Sequence, residues 1–375
     1  MTKHAFLSAS ASHRWINCPP SAKLCDEIKG KEASPYALEG TDCHELCAYL
    51  VEKALGKDVK DPTDKLTYYN TEMQNCAEEY CNYVLEQYEK AKEYAKDPMI
   101  FIEQRLDFSK YVKNGFGTGD CVIISDEVLH VIDYKHGLGV LVESEGNTQM
   151  MCYALGALDT FGDLYDINRI EMTIFQPRRN NVSTSTISKE ELLTWANDVL
   201  KPAADLAYEG KGEFNAGDHC KFCKVKSTCR KRAERNLELA KYDFEMPPTL
   251  NETEIAAILP RIDQLISWGN DIKNYALVKA QSGTHYEGFK VVEGRSTRKY
   301  SDDTAVATKV MDAGYDPYEK KLLGITAMSS LLGKKKFNEL LGDLIYKSPG
   351  KPTLVPESDK RPAMNSAVND FNDNK

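Results

Sequence analysis

No stretch of the 375-residue chain approaches the roughly 18 consecutive apolar residues that a membrane-spanning helix needs. The opening residues, MTKHAFLSAS, have neither the basic start nor the apolar run of a secretory signal. Together these absences give the expectation of a cytoplasmic protein with no membrane partner. There is also no excess of basic charge: 48 Lys and Arg stand against 57 Asp and Glu, for a net charge of −9. A histone-like or DNA-coating protein is thereby excluded, and any contact with nucleic acid has to be local. Carboxylates that hold cations add their own negative charge, so the acidic total leaves a metal-dependent enzyme open. The sequence has no internal repeat and no familiar DNA-reading module.

What is present is a soluble, globular composition, 42% hydrophobic and 28% charged, in a chain longer than one average domain. Eleven cysteines without an export signal point to metal ligation or buried thiols rather than disulfides.

Residues 1–60 read as largely helical, with a turn at Cys18-Pro19-Pro20 and an amphipathic segment from about Thr41 to Leu55; residues 70–96 form a second helical stretch. From Met99 the apolar period shortens to two. Strands are expected over Ile100–Leu106, Gly117–Ile124 and Val128–Tyr134, the last two as a hairpin across Ser125-Asp126-Glu127. A helix over about Glu145–Asp159 and strands over Arg169–Gln176 and Val182–Thr186 complete an α/β core. Ser188 with Glu191 is a capping box for a helix running to about Tyr208. This main domain spans 1–240. After a Met246-Pro247-Pro248 linker, Thr249 with Glu252 reads as the cap of a long helix containing Pro260. A strand-like Gly288–Val292 and short helices around Ile325–Leu332 and Lys335–Ile345 make a mainly helical appendage over 249–346, and 347–375 reads as a disordered tail. Two basic stretches, Lys290 to Lys299 and Lys334-Lys335-Lys336, are solvated surface or phosphate contacts.

The most informative segment is Gly117-Thr118-Gly119-Asp120 followed by Asp133-Tyr134-Lys135. Adjacent antiparallel strands can bring Asp120 to Asp133, and the two-residue period puts Asp133 and Lys135 on one face. Two carboxylates suit a hard cation that neutralises a phosphate, and a lysine can orient water or offset developing charge. An isolated Asp-x-Lys is ordinarily a solvated ion pair. Here all three residues sit at the ends of apolar strands, where charge needs a reason. His44, on the N-terminal helix, is a candidate third metal ligand. Gln149 and Tyr153 share one helix face. Near residue 220, Cys220, Cys223 and Cys229 form a C-x2-C-x5-C cluster. Three such thiols ask for a metal, with His219 or another cysteine completing a zinc site. Cys25, Cys43, Cys47, Cys76, Cys81, Cys121 and Cys152 read as buried small hydrophobes.

A helix carrying His, then Gly-x-x-Asp, Asp-x-Lys and Gln-x-x-x-Tyr, resembles the RecB-type branch of the PD-(D/E)XK nuclease superfamily. That resemblance implies a restriction-endonuclease-like core, a mixed central sheet flanked by helices. It implies His44, Asp120 and Asp133 as metal ligands, Lys135 as catalytic lysine, and Gln149 and Tyr153 beside them, with Glu103 a further acid near the site. The branch with iron–sulfur clusters resembles this chain in having one cysteine before the core and three after, which implies a 4Fe-4S cluster on Cys18, Cys220, Cys223 and Cys229. The whole chain, including Lys360-Arg361-Pro362, is also similar to a phage and prophage family of unknown-function proteins. The expectation that follows is a Mg2+- or Mn2+-dependent DNA exonuclease acting on linear single- or double-stranded DNA in phage replication or recombination, beside a phage single-strand-binding or annealing protein. The rivals are a catalytically inactive DNA-binding or recombination-partner protein on the same fold, and a zinc-stabilised interaction protein.

Overall fold

The computed structural model describes residues 5–28, 34–239, 249–293, 300–318, 322–346, 353–355 and 359. The Met246-Pro247-Pro248 linker, Arg295, Arg298, Lys299, Lys360-Arg361-Pro362 and most of 347–375 lie outside the described residues, as do the side chains of Lys334 and Lys335.

Two short helices, α1 (Ser12–Asn17) and α2 (Ser21–Glu27), flank the Cys18-Pro19-Pro20 turn. Helix α3 (Pro35–Ala54) begins where Ser34 accepts the Ala37 N–H and Pro35 takes the first helical position, which needs no donor. Helix α4 (Thr71–Tyr94) is capped in the same way by Asn70. Strands β1 (Met99–Asp107), β2 (Phe116–Ile124) and β3 (Glu127–Tyr134) then run antiparallel. Helix α5 (Thr148–Phe161) carries the chain across to β4 (Ile167–Gln176), which is parallel to β3 and therefore needs such a crossover. Antiparallel β5 (Asn181–Ser188) completes a mixed sheet of order β1-β2-β3-β4-β5.

The sheet is covered on both faces, and the strand alternation decides which residue goes to which side. Cys121, Ile123, Ile132 and Tyr134 join a core with Leu46, Met73, Tyr80 and Val84 from α3 and α4. Val122, Ile124, Leu129 and Val131 join another with Met150, Ala154 and Ala157 of α5 and with Trp15 of α1.

Beyond the sheet, the Ser188–Glu191 capping box opens α6 (Lys189–Trp195). A single expected helix to Tyr208 becomes α6, a π turn over Ala196–Leu200, and α7 (Lys201–Glu209). Pro202 accounts for the break, since it has no N–H to donate back along the helix. Helix α8 (Arg230–Leu237) follows the cysteine segment, and α9 (Glu252–Gln281) runs through Pro260. The cap of α9 is Asn251 with Glu254, not Thr249 with Glu252. Both pairs fit the pattern, and asparagine is the stronger cap. Gly288–Val292 is turn and coil rather than strand, with Gly288 at φ +77°; an isolated strand has nothing to bond to. Helix α10 (Asp303–Asp312), capped by Asp302, was not expected, because its Thr and Val residues are weak helix formers. Helices α11 (Ile325–Leu332) and α12 (Lys334–Leu341) meet at Gly333 as expected.

The chain divides into two compact units, residues 1–249 with 264–276, and residues 250–263 with 277–375. Asp271, on the middle of α9, binds Lys226 at 2.8 Å and Arg232 at 2.6 Å, which ties that part of the helix to the cysteine segment. In the second unit, Ala307 and Phe337 are buried.

Candidate active site

The hydrogen-bond register aligns three acids. Ile102 pairs with Cys121 and Gln104 with Gly119, so Glu103 stands opposite Asp120. Cys121 pairs with Ile132, so the next position sets Asp120 opposite Asp133. Glu103, Asp120 and Asp133 thus form a row across three adjacent strands, where the ladder opens. Neither Glu103–Asp120 nor Asp120–Asp133 makes the regular pair. Glu103 has φ +50°, a left-handed conformation that costs a non-glycine residue about 1–3 kcal/mol and is kept where the surroundings enforce it.

His44 approaches this row from α3, with Nδ1 3.1 Å from Asp120 Oδ1. The other Asp120 oxygen accepts the Tyr134 N–H at 2.7 Å. Among the described residues, His44, Glu103 and Asp120 are the set of three His, Cys, Asp or Glu whose ligand atoms lie within 4.8 Å of one another. Burial opposes charge on His44, but Asp120 outweighs it and raises the imidazole to about 9. Burial likewise opposes the Asp120 carboxylate, and His44, Lys135 and the Tyr134 N–H hold it below the usual range. Crowding by the surrounding chain, then Asp120, pushes Glu103 up to about 7 against His44. A proton or a cation is what this crowd of oxygens requires.

Asp133 is 2% exposed and stands outside that tight set. Its Oδ1 accepts from Gln149 Nε2 at 3.2 Å. Its Oδ2 lies 2.8 Å from Lys135 Nζ, yet receives no well-directed hydrogen bond. Burial pushes the Asp133 carboxyl up, Lys135 opposes, and Asp120 adds to the rise. Burial also opposes the Lys135 charge, but Asp133 and Asp120 prevail and hold its ammonium above the ordinary lysine value. Lys135 is therefore a cation at neutral pH. Gln149 joins the pieces: its Oε1 accepts from Lys135 at 3.2 Å, and its Nε2 also donates to Tyr153 Oη at 3.1 Å. Asn147 sets the start of α5 by accepting the N–H groups of Gln149 and Met150. Gly117 makes room for Tyr153, whose ring would lie 2.6 Å from a Cβ at that position.

A neighbouring network went unread in the sequence. Tyr134 Oη meets His136 Nδ1 at 2.9 Å and accepts from Cys43 Sγ at 3.1 Å. His136 Nε2 lies 3.3 Å from Glu39, which also receives Arg178 at 3.2 Å, and Arg178 reaches Glu72. The clues were adjacency to Lys135 and to His44, which alone do not separate such residues from ordinary surface charge.

The cysteine segment folds against α1 and α2. Cys18, Cys220 and Cys223 are buried and Cys229 is half-buried. The Gly217 N–H points at Cys220 Sγ at 3.5 Å. Cys25, read as a small hydrophobe, is buried, but its Sγ also lies 3.7 Å from Cys223 Sγ and receives the Lys224 N–H at 3.4 Å. His219 Nε2 lies 3.0 Å from the Asn215 carbonyl oxygen, and, against the opposing effect of burial, the Cys18 thiol beside the ring raises its imidazole. Helix α1 joins the two centres. Its Ser12 hydroxyl lies 2.6 Å from Thr148 Oγ1, next to Gln149, and its His13 ring meets His219 edge-on at 6.1 Å.

Fold and site together define an α/β protein with a five-stranded mixed sheet flanked by helices, bearing a histidine–carboxylate group able to hold a metal ion. A family described as "Protein of unknown function (DUF2800)" matches residues 4–362, and the chain belongs to it. Among solved structures, the one described as "Crystal structure of SSO0001" is similar at 13% identity over 50% of this chain and 95% of that chain, with a TM-score of 0.21. At that score the likeness carries no weight for fold or function. No helix of the described residues is long and apolar enough to cross a membrane.

Proposed function

We propose that this protein is a metal-dependent deoxyribonuclease of the PD-(D/E)XK, RecB-like type, which degrades linear DNA from its ends in phage replication or recombination and carries a 4Fe-4S cluster on Cys18, Cys220, Cys223 and Cys229. The observation that carries the reading is the row Glu103, Asp120, Asp133 with His44 beside it and the Lys135 ammonium 2.8 Å from Asp133.

The residues fit a hard divalent cation. Asp133 Oδ2 is a buried oxygen lacking a directed donor, and Glu103 holds a strained backbone beside Asp120. His44, Glu103 and Asp120, with Asp133 adjoining, would hold Mg2+ or Mn2+, which when bound neutralises phosphate charge and acidifies a coordinated water. The chain's own groups supply the remainder. Lys135, kept cationic by two carboxylates, offsets charge on the phosphate oxygens as they become more negative. Gln149 fixes Lys135 and Asp133 relative to one another. Tyr153 fixes Gln149.

The thiols that the resemblance assigns to the cluster lie on the two segments it would join: Cys18 follows α1, and Cys220, Cys223 and Cys229 lie on the segment folded against α1 and α2, with Cys18, Cys220 and Cys223 buried. Four thiolates on one 4Fe-4S cluster would staple residue 18 to residues 220–229.

Manganese binding tests the site directly. Paramagnetic titration of the free ion is expected to show binding to the wild type and at least tenfold weaker binding to Asp120→Asn. Equal affinity in both would move the metal elsewhere.

A further inference from the structure

In a chain of net charge −9, residues 219–235 hold seven basic residues against one acid, Glu234. Several are already engaged. Lys226 and Arg232 bind Asp271, and Lys224 Nζ donates to the Ile28 carbonyl at 3.3 Å. Lys221 and Arg230 are exposed and have no carboxylate partner among the described residues. Between the buried Cys220 and Cys223, the turn presents Phe222 outward, 74% exposed, with Lys221 Nζ 6.0 Å from its ring centroid. A large ring thus stands in water between two buried thiols, with exposed cations on either side of it in the chain. Through His219–His13 and Ser12–Thr148, this turn is connected by one short helix to Gln149 of the acidic row.

We infer that the cysteine turn is a single-strand binding face: Lys221 and Arg230 take successive phosphates and Phe222 stacks an unpaired base. The inference rests on the nuclease reading only in taking DNA as the nucleic acid. Stacking selects the single strand, because in a duplex the base faces are already covered, while exposed cations without a carboxylate partner contact any phosphate backbone. An acidic protein surface would satisfy the cations but leave the ring unused.

The test is fluorescence anisotropy with labelled oligo(dT) and a duplex of equal length. It uses the full, cluster-loaded chain in EDTA, so that binding is read without cleavage. Phe222→Ala is expected to weaken oligo(dT) binding about five- to a hundredfold and to leave the duplex little changed. Lys221→Glu with Arg230→Glu is expected to lower the salt dependence of oligo(dT) binding by about 1.4 in the log–log slope. Visible absorbance of each variant, matching the wild type, shows that the turn is intact. Wild-type affinity and slope in the variants would overturn the inference, as would equal losses on single strand and duplex for Phe222→Ala, which would mean that the ring stacks on no base. Cleavage with Mg2+ alongside unchanged binding in the variants would sink this face and leave the nuclease standing. Weakened binding in the variants with no cleavage under any metal would do the reverse.

Discussion

Ser12 Oγ and Thr148 Oγ1 lie 2.6 Å apart although 136 residues separate them in sequence. Ser12 opens α1, whose far end is Cys18, and Thr148 precedes Gln149, which holds Asp133 and Lys135 together. One short helix therefore joins the cysteine segment to the acidic row. Removing either hydroxyl leaves the other without its partner, so Ser12→Ala and Thr148→Ala should each cost about 1–2 kcal/mol. The double variant should fall short of their sum by about 1 kcal/mol. Denaturant midpoints across the cycle measure this; strict additivity would mean the two hydroxyls do not interact.

Gly117 tests how tightly Tyr153 is placed. A methyl group there meets the ring at 2.6 Å, and overpacking of this kind costs about 1–3 kcal/mol. Gly117→Ala is expected to lower the melting temperature and to reduce cleavage, because Gln149 moves with Tyr153. Combining it with Tyr153→Leu should restore part of the stability and none of the activity. An unchanged melting temperature for Gly117→Ala would show that the ring has room to move.

Much of this was legible beforehand. The bounds of the five sheet strands fell within two residues of those expected, because β1 to β3 alternate apolar side chains between two buried faces. Asp120, Asp133 and Lys135 were visible as charges at strand ends. Glu103 was weaker, since its place in the row depends on a register and on a φ of +50° that residue type does not announce. Cys25 is buried as expected, but its contact with Cys223 was not legible, because nothing in its local sequence tells that α2 lies against the Cys223 turn. His136 and Arg178 likewise take their roles from partners far along the chain.

His130 gives the fold a pH limit on the acid side. It is buried, with Nε2 2.8 Å from Thr173 Oγ1 and Nδ1 3.9 Å from Glu171. Burial, then Lys90, lowers its imidazole from 6.5 to about 4. Because the folded value lies below the unfolded one, the stabilising effect of the neutral ring is complete above pH 6.5. It is lost as the pH falls from there through about 4, for a total of about 3 kcal/mol. Unfolding free energies of wild type and His130→Gln should therefore converge between pH 6.5 and 4. Parallel curves would show that His130 titrates normally.

The proposed cluster makes a prediction that separates its thiols. Anaerobically purified wild type is expected to absorb near 400 nm and to contain about four irons per chain. Cys18→Ser, Cys220→Ser and Cys223→Ser should each lose most of that iron, whereas Cys25→Ser should keep it. Iron lost from Cys25→Ser but retained in Cys18→Ser would transfer the N-terminal ligand to Cys25, the thiol that touches Cys223.

The most direct measurement is degradation of end-labelled linear DNA by cluster-loaded protein with Mg2+, Mn2+ or EDTA, beside Asp133→Asn and Lys135→Met. Cleavage that needs the metal and drops at least a hundredfold in both variants, with their melting curves intact, is the expected result. Wild-type protein that binds metal and cluster yet leaves every DNA end intact, or variants that cleave as fast as wild type, would contradict a nuclease built on Asp133 and Lys135.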